Sequence, residues 1–156
     1  QPLAYNDILD HAKLQAQIDT PICLDESINS PNVAKQAIEI GACRYINLKP
    51  GRIGGLYNTL VVNRMCQEAN IGCWVGSMLE TSIGSGICIE LATIGNITYP
   101  SDLFPSEYFY AQELSSQTIE LAGPGYMYPS LTPGNPYVPN MEILTARTIE
   151  KAHFEA

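Results

Sequence analysis

The residues best suited to chemistry are few, and their spacing is regular. Asp25 and Glu26 close the apolar run "PICL", Lys49 closes "RYINL", Gly76-Ser77-Met78 and Glu80 follow "IGCWV", and Asp102 closes "ITYPSD". From Asp25 to Lys49 to Gly76 to Asp102 the steps are 24, 27 and 26 residues. A carboxylate one strand away from a lysine suits metal-assisted proton abstraction next to a carboxylate. The metal neutralises charge growing on substrate oxygens, and a lysine of lowered pKa takes the proton. Carboxylate oxygens favour Mg2+ over softer metals. Plainer roles also suit these residues. Asp25 and Ser27 can satisfy free backbone groups at a turn, and a lysine stem can simply cover the rim of a sheet. "GRIGG" lacks the order of a phosphate cradle. His11 and His153 fall outside the strand ends and read as solvent or packing residues.

Such groups must be held by a scaffold, and the intervening sequence describes one. Residues 7–18 carry apolar positions near helical spacing. Ser30-Pro31 offers an N-cap and a first-turn proline for a helix that runs to Gly41. Residues 54–70 and 82–94 predict two more helices, and 21–24, 44–48, 71–75 and, more weakly, 97–102 predict strands. Strands alternating with helices at about 25 residues per unit mark parallel βαβ architecture. The strands are apolar throughout, as in a parallel sheet covered on its faces. Four such units are half of an eight-stranded (β/α) barrel or a small doubly wound sheet, and spacing does not separate the two. The pattern breaks after Asn96. The stretch 123–139 holds five prolines and three glycines and predicts a loop-rich tail, with 141–154 a short helix or strand.

Composition narrows the classes. With 46% hydrophobic and 15% charged residues in 156, the chain can bury one core. A formal charge of −8 disfavours nucleic acid or an anionic membrane as partner. No window supplies the 18 or so apolar residues of a membrane span, and no signal-peptide pattern opens the chain. Five cysteines, Cys23, Cys43, Cys66, Cys73 and Cys88, form no CxxC pair and read as reduced core residues of a cytoplasmic protein. The chain opens on Gln1 rather than Met, which predicts a piece cut from a longer protein.

Three segments, "TPICLDES" (20–27), "NLKPGRIGG" (47–55) and "WVGSMLETSIGSG" (74–86), together resemble the enolase superfamily, in the branch of o-succinylbenzoate synthases and N-acylamino acid racemases. The likeness runs from Gln1 to about Tyr108. It implies the C-terminal half of a (β/α) TIM-like barrel over residues 1–108, and a tail over 109–156 returning toward a capping domain that the chain lacks. It implies Mg2+ held by three carboxylates on successive strands, of which Asp25 matches the last. Lys49 matches the acid/base lysine that reaches the α-carbon of a metal-bound carboxylate substrate, with a second lysine on an earlier strand working from the other face. For the synthase reaction the resemblance implies that the earlier lysine does the proton chemistry and that Lys49 stabilises the enediolate electrostatically. Arg52 matches an arginine that tunes that lysine, Glu26 stands beside the metal ligand, and Ser77 and Met78 match positions lining the substrate pocket.

Some residues depart from the family pattern: Ser77 where glycine is commoner, Ser85 in place of an arginine, and Glu107 where "SRY" is usual. "QPLA" begins one residue after the place of the second metal ligand, and the first ligand and the earlier lysine are missing as well. The expectations are therefore a chain that binds metal poorly and does not catalyse alone. It would need the N-terminal part of the same protein as partner, or self-association into a homo-oligomer across open strand edges. The complete protein would be a lyase or racemase, with menaquinone synthesis implied for the synthase. A dipeptide epimerase, a muconate-lactonising enzyme and a non-catalytic remnant are the alternatives.

Overall fold

In the computed structural model, which describes residues 1–154, three short strands lie side by side in parallel. They are β1 (Cys23–Leu24), β2 (Tyr45–Leu48) and β3 (Gly72–Val75), in the order β1-β2-β3. Cys23 pairs with Tyr45 and Tyr45 with Gly72, so residues of one register stack across the sheet. The expected strand over 97–102 is reduced to two parallel bridges, Cys73 to Ile97 and Gly76 to Asp102. Pro100 lies between them, lacks an N–H for a ladder, and keeps the segment from forming a continuous strand.

Parallel neighbours need crossovers, and helices supply them. After β1 runs α2 (Pro31–Glu39), started by Ser30, whose side chain accepts from the Val33 N–H, with Pro31 at the first helical position. It stops at Gly41, whose φ of +67° is the left-handed conformation that closes a helix cheaply only in glycine. After β2 the chain makes one helical turn, α3 (Pro50–Ile53). Gly54 and Gly55, at φ +96° and +100°, then break it from α4 (Leu56–Glu68), so the long helix starts two residues later than the pattern at 54–70 predicted. Before β1 stands α1 (Ile8–Gln15), and α5 (Ser82–Leu91) follows β3.

Alternation along the strands divides the side chains. Leu24, Ile46, Leu48 and Cys73 join Ala34, Ala37, Val62 and Cys66 in one buried core between sheet and helices. A second, smaller cluster gathers Val75, Cys88 and Leu91. The cysteines are free thiols, four of them buried and Cys23 half-buried, as expected of core residues. Burial pushes the Cys43 thiol up to about 12, and Cys66 is raised as well, chiefly through its contact with the Cys73 sulfur. His11 is a packing residue. It is fully buried, its Nε2 accepts from the Leu3 N–H at 3.2 Å, and its Nδ1 meets the Asp7 carbonyl at 2.5 Å.

By packing, the chain forms two units: Gln1–Met78 with Cys88–Leu103, and Leu79–Ile87 with the described residues from Phe104 onward. In the second, the backbone N–H and hydroxyl of Ser82 both donate to Glu113, and Tyr110 donates to the Leu79 carbonyl at 2.5 Å. The tail is irregular through 123–139, as its prolines predict, and the closing segment forms α6 (Met141–Arg147), capped by the Asn140 side chain. Among the described residues no helix is long and apolar enough to cross a membrane.

Candidate active site

The C-terminal ends of β1, β2 and β3 lie together because the strands are parallel and in register, and the polar residues following them share that edge. Asp25 is the first residue past β1. Its turn is held from two sides: the Gln1 side-chain oxygen accepts from the Asp25 N–H at 2.9 Å and the Ser27 N–H at 3.2 Å, while the Ser27 hydroxyl donates to the Tyr5 carbonyl at 2.6 Å. The main chain there is thus satisfied by Gln1, and the Asp25 carboxylate is left for side chains.

Two cations take it. Lys49 Nζ lies 3.1 Å from Asp25 Oδ2, and Arg52 Nη1 donates to Oδ1. The three side chains keep only 14%, 20% and 16% of their surface exposed for Lys49, Asp25 and Arg52 respectively, so the cluster is largely shielded from solvent. Arg52 comes from the α3 turn, whose single helical turn after Lys49 swings the guanidinium back over β1. Its Nη2 also meets Met78 Sδ at 3.4 Å. Shielding strengthens each contact relative to water, and two positive charges on one carboxylate leave the cluster with one net positive charge.

β3 contributes through what it lacks. A Cβ on Gly76 would stand 2.5 Å from Asn47 Oδ1, 2.7 Å from Asn47 Nδ2 and 2.7 Å from Lys49 Cε. The lysine stem and the Asn47 amide therefore fill the place a side chain would take. Asn47, Lys49 and Tyr45 are spaced by two along one strand and share its face. On the same face Trp74 Nε1 donates to Cys23 Sγ at 3.2 Å, and burial raises that thiol's pKa.

Of the residues singled out from sequence, Lys49 and Arg52 both contact Asp25, and Arg52 also contacts Met78. Ser77 is half-buried beside them and donates its N–H to the Asp102 carbonyl at 3.1 Å. Glu26 is exposed, and none of these contacts includes it. Gln1 and Asn47 were not picked out as contributors to the site, and Gly76 was picked out only as a strand-end residue. The strand period places Asn47 beside Lys49 from sequence alone, whereas the Gln1 contact spans 24 residues and leaves no local trace. Among the described residues no group of three or more His, Cys, Asp and Glu is arranged to hold a metal. Asp25 is one hard oxygen donor, suited to a share in such a site.

Parallel βα units with a lysine and a carboxylate facing each other at the strand ends are the arrangement expected at the C-terminal edge of a (β/α) barrel. The chain belongs to the family described as enolase C-terminal domain-like, whose model matches residues 1–143. It is 42% identical over 120 residues to an N-succinylamino acid racemase of Thermus thermophilus, covering 77% of this chain and 32% of that protein. It is 41% identical over 123 residues to an o-succinylbenzoate synthase of Geobacillus stearothermophilus, covering 79% and 33%. An enolase-superfamily structure from Listeria innocua superposes with a TM-score of 0.84 at 36% identity, over 94% of this chain and 39% of that one. The chain thus spans about a third of the length of the curated relatives it matches, and its fold is part of the enolase-superfamily barrel.

Proposed function

We propose that this chain is the C-terminal portion of a cytoplasmic, Mg2+-dependent o-succinylbenzoate synthase or N-acylamino acid racemase, which abstracts the proton α to a substrate carboxylate. The observation that carries this reading is the Lys49 ammonium at 3.1 Å from Asp25, at the strand-end edge of a chain of this family. Asp25 would give Mg2+ one carboxylate, and the remaining ligands would come from the rest of the polypeptide. When bound, the metal supplies positive charge that stabilises negative charge growing on the substrate carboxylate.

The chain's own residues do the following. Lys49, released from Asp25 and deprotonated, takes the α-proton onto Nζ and returns a proton there in the reverse direction. A lysine on an earlier strand, supplied by the rest of the protein, would serve the opposite face, so that removal on one side and return on the other inverts the centre. In the dehydration, the earlier lysine removes the proton and Lys49 as ammonium stabilises the enediolate. Its product would feed menaquinone synthesis. Arg52 keeps a positive charge beside Asp25 and Lys49 and seats Met78, which with Ser77 borders the substrate.

The test is exchange of the α-proton of an N-succinylamino acid in deuterated water, followed by NMR on the full-length protein with Mg2+. Lys49→Ala is expected to abolish exchange at the face it serves while substrate still binds. Exchange retained at both faces by Lys49→Ala overturns the assignment.

A further inference from the structure

Asn47 is 1% exposed, and neither its Oδ1 nor its Nδ2 has a hydrogen-bond partner among the described residues. A buried amide without partners destabilises a fold, so its presence asks for a reason. Its surroundings offer one. Asn47 precedes Lys49 by two residues on the same strand face, and the amide and the lysine Cε both border the space over Gly76, 2.5 to 2.7 Å from where a Cβ would stand. The free oxygen therefore borders the same space over Gly76 as the stem of the very lysine whose ammonium is held by Asp25. A cation engaging Asp25 takes that acceptor away. An ammonium left in so shielded a place is costly unless another oxygen receives it.

We propose that Asn47 is a positioning residue for Lys49. Its side-chain oxygen receives the ammonium when Asp25 is engaged elsewhere, and so fixes where Nζ stands. The proposal rests on the reading of Lys49 as the proton-transfer residue. It gives Lys49 two acceptors, Asp25 in the resting site and Asn47 in the working one. Gly76 is the position that leaves room for both the amide and the stem.

Two measurements test it in the full-length protein. Asn47→Leu keeps the branching and heavy-atom count of asparagine and removes the acceptor, whereas Asn47→Asp keeps an oxygen there. Asn47→Leu is expected to melt no lower than the parent, to keep KM, and to lose on the order of 100-fold in kcat, the scale of a misplaced reacting group. Asn47→Asp should retain most of kcat. The second measurement needs neither metal nor turnover: a crystal structure of Asp25→Ala, in which Lys49 Nζ should lie within about 3.2 Å of Asn47 Oδ1. Parent-like kcat in Asn47→Leu, or an Asp25→Ala lysine turned away from Asn47, overturns the proposal. Should Asn47→Leu fail to fold, the Asp25→Ala structure decides alone. Failure of the Lys49 reading is recognised separately, by exchange that survives Lys49→Ala.

Discussion

Gly76→Ala is the most informative single change at this site, because one methyl group meets two different kinds of neighbour. The new Cβ would stand 2.5 Å from Asn47 Oδ1 and 2.7 Å from Lys49 Cε. Comfortable heavy-atom contact lies near 3.5–4.0 Å, so about 1 Å must be found. Asn47 is enclosed and yields little, whereas Lys49 is a flexible stem and yields readily. The strain therefore falls mostly on the lysine. Overpacking of this kind costs about 1–3 kcal/mol in stability, and each kcal/mol lowers the melting temperature by about 2–4 °C in a domain of about 150–250 residues and by less in the longer full-length protein. A displacement of about 1 Å in the reacting amine costs about 100-fold in rate, or about 2.7 kcal/mol of barrier. The assay pairs calorimetric melting with α-proton exchange in deuterated water, read separately for each enantiomer in the full-length protein. Exchange at the face served by Lys49 is expected to fall far more than exchange at the other. A parent-like rate at that face refutes the reasoning, whatever the melting temperature does.

Asp25→Asn in the full-length protein should weaken Mg2+ binding by calorimetry at least as much as the roughly 10–100-fold that loss of an outer-shell partner costs. Unchanged affinity would leave Asp25 with only its ion pairs to Lys49 and Arg52. Gly41→Ala, at φ +67° with open space around it, should cost about 1–2 kcal/mol of stability without touching α-proton exchange; an unchanged melting temperature would count against the left-handed helix end. The Cys43 thiol, raised from 9.0 to about 12, keeps its proton in the folded state after the unfolded chain has lost it. Its stabilising contribution is whole below pH 9 and is lost progressively as pH rises toward 12, so denaturant midpoints should fall over that window. A Cys43→Ala variant should show a shallower fall, and an identical slope would argue against this origin.

Apolar runs short enough to be strands, each ending in a polar residue about 25 residues after the last, make the parallel sheet and the polar edge at its strand ends legible in the sequence. The N-cap at Ser30 and the stop at Gly41 were legible too, because local chemistry decides both. The fourth strand was not, since its apolar run carries a proline that spoils the ladder. The start of α4 was misjudged because Gly54 and Gly55 fit a helical pattern by position but adopt left-handed backbone. The contact of Lys49 and Arg52 with Asp25 depends on a three-residue spacing across a short helical turn, too brief to leave a periodic pattern in the sequence. Gln1 and Gly76 act at long sequence separation, through backbone satisfaction and through an absent side chain, and neither leaves a compositional signal.

The inner face of β3 reads Gly72, Trp74, Gly76, a large ring between two residues without side chains. A Cβ on Gly72 would collide with the Tyr45 ring and reach 2.5 Å from Thr98 Oγ1, just as one on Gly76 meets Asn47 and Lys49. Each glycine is thus fitted to particular side chains of β2, and neither member of such a pair can drift alone. In a deep set of related sequences, a larger residue at position 72 should be found with a smaller one at 45. Position 76 should be able to vary only in lineages that have also given up the asparagine or the lysine on the neighbouring strand. Evolution at this edge would then proceed by paired exchanges, and the pairs themselves would report strand register from sequence data alone.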